Sequence, residues 1–564
     1  MAHTVQDTGE PVTVEFNRPA RMRDGVTLCA NIYRPAGQGP WPVLLARTPY
    51  DKNDMHNDAW CGLDPVQTAQ RGFIVAIQDV RGRFASEGKW EPLKLEAQDG
   101  YDTVEWVASL AGSNGRVAMY SGSYCGNTQW LAAAMQPPSL RAISPAMTWS
   151  EPTDGLLSRG GALELGLALR WALETGVDCV RRLRTHPDEI QRRTIAVTDE
   201  LDALESSGYW ELPANNNPVL HRHRVPSFGG YRTIQSSRAA EWGRVADRYD
   251  KVEVPSLHTA GWYDIFVQGT LENYMAMSVA GHEARLVVGP WTHESHSDPI
   301  GGRLFGQRGA RDGSAVHAQR DWRDLQLDWF RCQLNPVPSA KPVDAPVRIF
   351  VMGRNEWRDE TAWPLSRATR QRWFLHSDGT LNRGTSEGIA QSRVFTYDPV
   401  DPVPTIGGNG VPSGGYSAGP IDQTSIEVRG DVLSFTSEPM TVDLEVTGKV
   451  SVVLYAESSA PSTDWVARLC DVHADGRSFN LCDGIIRVVR GANQRQRYEI
   501  DLWSTSNVFL QGHRIRVHIT SSSFPRWDRN LNTGHQAEAR HQIAHQRIFT
   551  GTECPSHVSL PVVT

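Results

Sequence analysis

The stretch Val117-Ala-Met-Tyr-Ser-Gly-Ser-Tyr-Cys-Gly126 limits this chain more than any other. An apolar run, Val117 to Tyr120, reads as a buried strand, and Thr128 to Met135 is rich in helix formers. Between them lie Ser121, Gly122, Ser123, Tyr124, Cys125 and Gly126. A strand that turns sharply through small residues into a helix is the setting of a nucleophile elbow. Ser123 is the central serine. Its hydroxyl would stand at the carboxyl end of the strand, and the helix behind it would offer a free N–H and a partial positive charge. Both suit an oxyanion. The plainer alternative is a Ser/Gly turn without chemistry, and one residue departs from the usual pattern: Ser121 stands where an elbow normally has Gly.

A sharp turn of this kind needs a sheet and a sizeable core around it. At 564 residues the chain is long enough for two or three domains. With 40% hydrophobic and 21% charged residues, it has the composition of a globular protein rather than a disordered one. The formal net charge of -7 disfavours nucleic-acid or anionic-membrane partners. The polar start, Met1 to Gly9, does not read as a signal peptide, and no apolar run approaches the roughly 20 residues of a membrane span. The eight cysteines, Cys29, Cys61, Cys125, Cys179, Cys332, Cys470, Cys482 and Cys554, form no CxxC pair. Reduced thiols in a cytoplasmic protein are therefore expected, not a disulfide framework or a zinc knuckle.

Along the chain, strand-like runs at Val12–Phe16, Thr27–Tyr33, Pro42–Ala46 and Gly72–Asp79 precede the elbow, with a helical pattern over Glu96–Leu110. Residues 149–250 change character: Leu156–Leu173 has helical spacing, Asp178–Arg193 and Thr194–Ser206 are charged and amphipathic, and the segment reads as a helical insert, a cap. Strands return at Ser256–Gly261 and Ala284–Gly289, followed by an amphipathic helix over Gln319–Leu334. From about Pro346 onward short strands dominate, beginning with Val347–Met352, which indicates a β-sandwich or jelly roll. The Gly/Pro-rich segment Pro402–Gly419 reads as a long surface loop. The expected division is residues 1–148 and 251–345 for an α/β core, 149–250 for a helical cap, and 346–564 for an all-β domain.

A serine nucleophile needs a base, and the base an orienting acid. In α/β-hydrolases the chain order is Ser, Asp/Glu, His, each at the carboxyl end of a strand. Two strand ends after the elbow fit: Gly261-Trp-Tyr-Asp264 supplies Asp264, and Gly289-Pro-Trp-Thr-His293 supplies His293. Asp264 could instead cap a helix beginning near Ile265, and His293 could be an ordinary loop histidine. His296 and Asp298 compete, but neither follows a strand directly. His293-Glu-Ser-His296 lacks the i,i+4 histidine pair of a zinc helix, so neither metal nor cofactor is expected.

These stretches, with Arg47-Thr-Pro-Tyr-Asp-Lys52, Phe73-Ile-Val-Ala-Ile-Gln-Asp-Val-Arg-Gly82, Val351-Met-Gly-Arg-Asn-Glu-Trp-Arg358 and Phe524-Pro-Arg-Trp-Asp-Arg-Asn530, closely resemble the bacterial cocaine-esterase and X-Pro dipeptidyl-peptidase family, from about Val14 to Gly534. The resemblance implies an α/β-hydrolase core, a helical cap insertion and a C-terminal jelly roll. It implies Ser123 as nucleophile, His293 as base and Asp264 as orienting acid. It further implies that the Tyr50 hydroxyl and the Tyr124 backbone N–H form the oxyanion hole, and that Trp171 and Phe266, together with Trp149, line an acyl pocket. The expected activity is hydrolysis of a small-molecule carboxylic ester, or an amide, through an acyl-enzyme. The alternatives are an X-Pro dipeptidyl-peptidase or an α-amino-acid ester hydrolase, which must hold a substrate ammonium. Glu164 and Glu294 are the carboxylates to consider for that role. A sugar-binding protein that uses the jelly roll is the non-enzymatic alternative. A homodimer is left open.

Overall fold

The computed structural model describes residues 11–54, 63–312, 321–335, 345–385, 390–411, 416–489, 492–534 and 539–564. Ten strands build the sheet that carries the elbow. They are β1 (Thr13–Arg21), β2 (Thr27–Arg34), β3 (Trp41–Thr48), β4 (Ile74–Asp79), β5 (Ser113–Gly122), β6 (Leu140–Ala146), β9 (Ser256–Tyr263), β10 (Ala284–Thr292), β11 (Val347–Val351) and β12 (Glu356–Glu360). A small hairpin, β7 (Ser158–Arg159) and β8 (Ala162–Leu163), interrupts the numbering. The spatial order is β1-β2-β4-β3-β5-β6-β9-β10-β11-β12. From β4 to β11 every neighbouring pair is parallel, and only the edges are antiparallel.

Parallel strands need both faces covered, and the period of two along each strand does this. Val43, Leu45, Val117 and Met119 face one side with Val104 and Val107 of the helix Glu96–Ala108 and Trp130 of the helix Tyr124–Ala133. Leu44, Ala46, Ala118 and Tyr120 face the other, in one cluster with Trp322, Leu327 and Phe330 of the helix Trp322–Leu334. The first two residues of the helix expected over Gln319–Leu334 lie outside the described residues.

Between β6 and β9 stands the cap. The expected helix over Leu156–Leu173 is a hairpin, β7–β8, followed by a helix at Leu165–Arg181. Gly160, at φ 53°, explains the break: a Cβ there would lie 1.9 Å from the Ile485 carbonyl oxygen, so the hairpin is pressed against the C-terminal domain. Asp178–Arg193 is likewise not one helix. Pro187 opens a second helix, Pro187–Asp202, where its missing N–H costs nothing.

The C-terminal part packs a seven-stranded antiparallel sheet on a four-stranded one, as a β-rich sandwich. Val347–Val351, grouped by texture with the β domain, pairs parallel with β10, and β12 follows it, so the first sheet extends to Glu360. A short, largely buried parallel strand reads in sequence like any sandwich strand. Pro402–Gly419 is also no surface loop in its described residues. Val403 and Asn409 are fully buried, Thr405 N–H donates to the Phe524 carbonyl, and Gly408 pairs with Gly419. Gly407 turns at φ 66° where a Cβ would meet the Gly419 carbonyl oxygen at 2.5 Å, so here the Gly/Pro composition serves tight packing rather than exposure. Among the described residues no helix is long and apolar enough to cross a membrane.

Candidate active site

Ser123 directly follows β5 and caps the helix Tyr124–Ala133 in a strained conformation, φ 57° and ψ -127°. Its N–H donates to the Ala146 carbonyl at 2.9 Å, and its carbonyl accepts from the Thr148 hydroxyl at 2.9 Å, which hold the bend from both sides. The helix begins at once after the serine, four residues earlier than the expected Thr128. Gly126 must be small: a Cβ would sit 2.9 Å from Thr148 Cβ. Ser121 also lies in the left-handed region, at φ 103°. The departure from glycine is thus accommodated with backbone strain. Gln129 steadies it by donating to the Ser121 carbonyl at 2.8 Å.

His293, just past β10, reaches across the top of the sheet. Its Nε2 lies 3.1 Å from Ser123 Oγ, and its Nδ1 lies 2.5 Å from Asp264 Oδ1. Asp264, just past β9, is wholly buried, and its other oxygen accepts from the Phe266 N–H at 2.9 Å. Asp264 thus meets the histidine with one oxygen and holds the following turn with the other; it does not cap the helix Val267–Val279, whose N-cap is Phe266. Of the competitors, Asp298 accepts from the N–H groups of Phe305 and Gly306, and His296 packs edge-on against Trp291. Neither lines the cavity at the serine.

Tyr50 stands opposite, on the loop after β3. A buried pair, Lys52 Nζ to Asp79 Oδ2 at 2.8 Å, and a bond from Arg83 Nε to the Pro49 carbonyl at 2.8 Å fix that loop. The Tyr50 hydroxyl interacts with the Ser123 side chain and accepts a hydrogen bond from Trp171 Nε1 at 3.1 Å. Burial pushes its pKa well above the ordinary tyrosine value, so it stays an O–H donor. The Tyr124 side chain turns away: its hydroxyl accepts from the Leu93 N–H at 2.8 Å and donates to Glu96 at 2.9 Å, and Glu96 pairs with buried Arg47 at 2.8 Å. That chain anchors the first helical residue and leaves its backbone N–H in the orphan turn of the helix, beside Ser123.

These groups open into a cavity of about 230 Å³. Trp149, Trp171 and Phe266, the three aromatics expected from sequence, all line it. The Trp171 ring stacks on Phe228 with centroids 4.1 Å apart, while Phe266 meets Trp149 at 5.1 Å and the His293 ring edge-on at 5.3 Å. Sequence reasoning missed Leu156, Leu167, Phe228 and Val411, which complete the apolar wall. The two leucines carry only a helix-packing signal, and Val411 lies in the segment taken for a surface loop. Of the carboxylates considered for an ammonium, Glu294 lines the cavity, together with Arg170 and Glu174, which pair at 2.8 Å. Partial desolvation raises the pKa of both Glu294 and Glu174, although both side chains remain exposed to solvent. Glu164 does not line it. It is fully buried, bonded to Trp527 Nε1 at 2.7 Å, and burial raises its pKa to about 7 despite nearby Arg526. Seven cysteines are described, none of them in a disulfide, and Cys61 lies outside the described residues.

Comparison with known proteins fits this geometry. Residues 24–295 match the X-Pro dipeptidyl-peptidase (S15 family) model, and residues 343–559 match the model of the X-Pro dipeptidyl-peptidase C-terminal non-catalytic domain. The cocaine esterase of Rhodococcus sp. (strain MB1 Bresler) is 35% identical over 98% of this chain and 99% of its own length. The chain belongs to the cocaine-esterase and X-Pro dipeptidyl-peptidase family of serine hydrolases. Within that family it is an ester hydrolase with an α/β-hydrolase core and a C-terminal β-rich domain. The same fold recurs over its whole length in an aminopeptidase from a marine sediment Thaumarchaeota archaeon, at TM-score 0.77 and 23% identity, covering 100% of this chain and 98% of that one. It recurs also in an α-amino acid ester hydrolase, at TM-score 0.75 and 23% identity, with the same coverage of 100% and 98%.

Proposed function

We propose that the chain hydrolyses neutral carboxylic esters through an acyl-enzyme on Ser123. The single observation that carries this reading is the run of contacts from Asp264 through His293 to Ser123, 2.5 Å and 3.1 Å, at the floor of an apolar cavity. Ser123 Oγ attacks the ester carbonyl carbon while its proton passes to His293 Nε2. Asp264, on Nδ1, fixes the tautomer and balances the imidazolium. The oxyanion that forms accepts hydrogen bonds from the Tyr50 hydroxyl and the Tyr124 N–H. On collapse the C–O bond breaks and the alcohol leaves with the His293 proton. Water then repeats the sequence against the acyl ester, giving its proton to His293, and releases the acid and Ser123.

The cavity wall supports a neutral, largely apolar acyl group. An ammonium would need a carboxylate held inside the cavity; of those that line it, Glu174 is engaged by Arg170, and Asp54 and Glu294 are exposed to solvent. Amides remain the harder substrates of the same chemistry. The test is kcat/KM for a neutral aryl ester against an aminoacyl amide, with fluorophosphonate labelling of the wild type and of Ser123→Ala. Ester preference with labelling lost in the variant is expected. Labelling that survives Ser123→Ala, or preference for the aminoacyl amide, overturns the reading.

A further inference from the structure

In the C-terminal domain, outside the lining of the serine's cavity, two histidines and an aspartate converge. Asp471 and His473 lie two residues apart on one strand and its exit, so both side chains project to the same side. The neighbouring strand Arg514–Thr520 runs antiparallel with Asp471 opposite Ile515 and Val472 opposite Arg514, so the next step sets His513 beside His473. One ligand atom from each of the three residues lies within 4.8 Å of the other two.

We propose that Asp471, His473 and His513 bind one zinc-type divalent ion, and that the ion serves the structure of the β domain rather than the reaction. Three observations carry this. First, a tetrahedral ion with bonds of about 2.0–2.1 Å sets its ligand atoms roughly 3.3–3.4 Å apart. His513 Nδ1 is 2.8 Å and His473 Nε2 is 3.8 Å from the Asp471 oxygens, which bracket that spacing. Second, the Asp471 carboxylate is wholly buried, and both its ion-pair contacts are these two histidines; no Lys or Arg is bonded to it among the described residues. A buried carboxylate calls for a counter-charge. Third, His473 Nε2 is shielded from solvent and has no hydrogen-bond partner among the described residues, although the carboxylate lies in front of it. At 3.8 Å it is too far to donate to Asp471 and well placed to share an ion with it. Two His and one Asp are donors that suit zinc, with a fourth position for water. Arg303 and Arg477 stand over Phe479, whose ring is 4.8 Å from His473, and their charge weakens the site for any cation. The affinity expected is therefore about micromolar, short of that of a four-ligand structural site.

The test is calorimetric titration of chelator-treated, untagged full-length protein with Zn²⁺ alone, followed by Co²⁺ titration read by visible absorption. The expected result is one ion per chain, ligand-field bands of a near-tetrahedral cobalt site, and a higher Tm with zinc. His473→Ala and His513→Ala should each lose the ion and the Tm shift while keeping ester hydrolysis. Diethylpyrocarbonate mapping of the wild type, which needs no variant to fold, should show His473 and His513 protected when zinc is added. Wild-type binding weaker than about 100 µM, binding that survives both substitutions, or equal modification with and without zinc overturns the proposal.

Discussion

Ser123 and Ser121, at φ 57° and 103°, both occupy backbone conformations that L-residues avoid, at a cost of order 1–3 kcal/mol each. The elbow stores this strain to present one hydroxyl. Replacing Ser121 with Gly should raise stability by up to about 1 kcal/mol, seen as a higher denaturant midpoint with turnover kept. A lower midpoint would mean that the Ser121 side chain holds the turn. Tyr50→Phe should lower kcat by roughly 10²-fold and leave KM nearly unchanged, because the donor acts on charge present only in the transition state. Trp171→Phe should lower kcat by roughly tenfold, since the indole N–H fills an acceptor site of the Tyr50 oxygen and so helps turn its proton towards the substrate. An effect of either substitution confined to KM would make these residues pocket walls only. Because burial raises the Tyr50 pKa, the donor survives in alkaline solution, and kcat/KM on a neutral ester should hold to pH 10. Cys125, pushed up to about 11 by burial, should resist iodoacetamide at pH 8 under native conditions, checked by mass spectrometry.

At the scale of elements, β5, β9 and β10 were legible because a buried parallel strand leaves an unbroken apolar run, and the loop that follows must carry the polar chemistry. Ser123, Asp264 and His293 could be picked out from chain order and strand ends, and the structure brings all three together. Tyr50 had no local signal of its own. A tyrosine after Pro49 looks like any packing tyrosine until the distant Trp171 and Ser123 are placed against it. Pro402–Gly419 failed for a related reason: glycine and proline mark irregular backbone but not burial. Asn409 in that segment donates to the Trp262 carbonyl at 2.6 Å and to the Asp264 carbonyl at 3.4 Å. Asn409→Ala should therefore loosen the Asp264 turn, lower kcat several-fold and cost roughly 1–3 kcal/mol of stability, read by kinetics and thermal unfolding together. Stability loss with unchanged kcat would limit Asn409 to packing.

Across the whole molecule the core and the β domain are joined by backbone as well as side chains. Met352 N–H donates to Ser506 and Val508 N–H to Met352, while Ser504 Oγ donates to Gln268 Oε1 at 2.9 Å. A chain ended at residue 345 would leave the β10 edge bare and should aggregate on expression, measured by size-exclusion chromatography. Soluble, active protein of that length would show that β11 and β12 are dispensable. The brace that Asn409 provides has a further consequence, in the order of synthesis. All three candidate triad residues leave the ribosome before residue 294, yet the asparagine that holds the aspartate turn comes 145 residues after Asp264. N-terminal portions of a chain tend to fold first. A nascent chain can thus carry a complete set of reactive side chains and still be a poor hydrolase, and hydrolytic competence arrives only when the second half of the protein closes over the first.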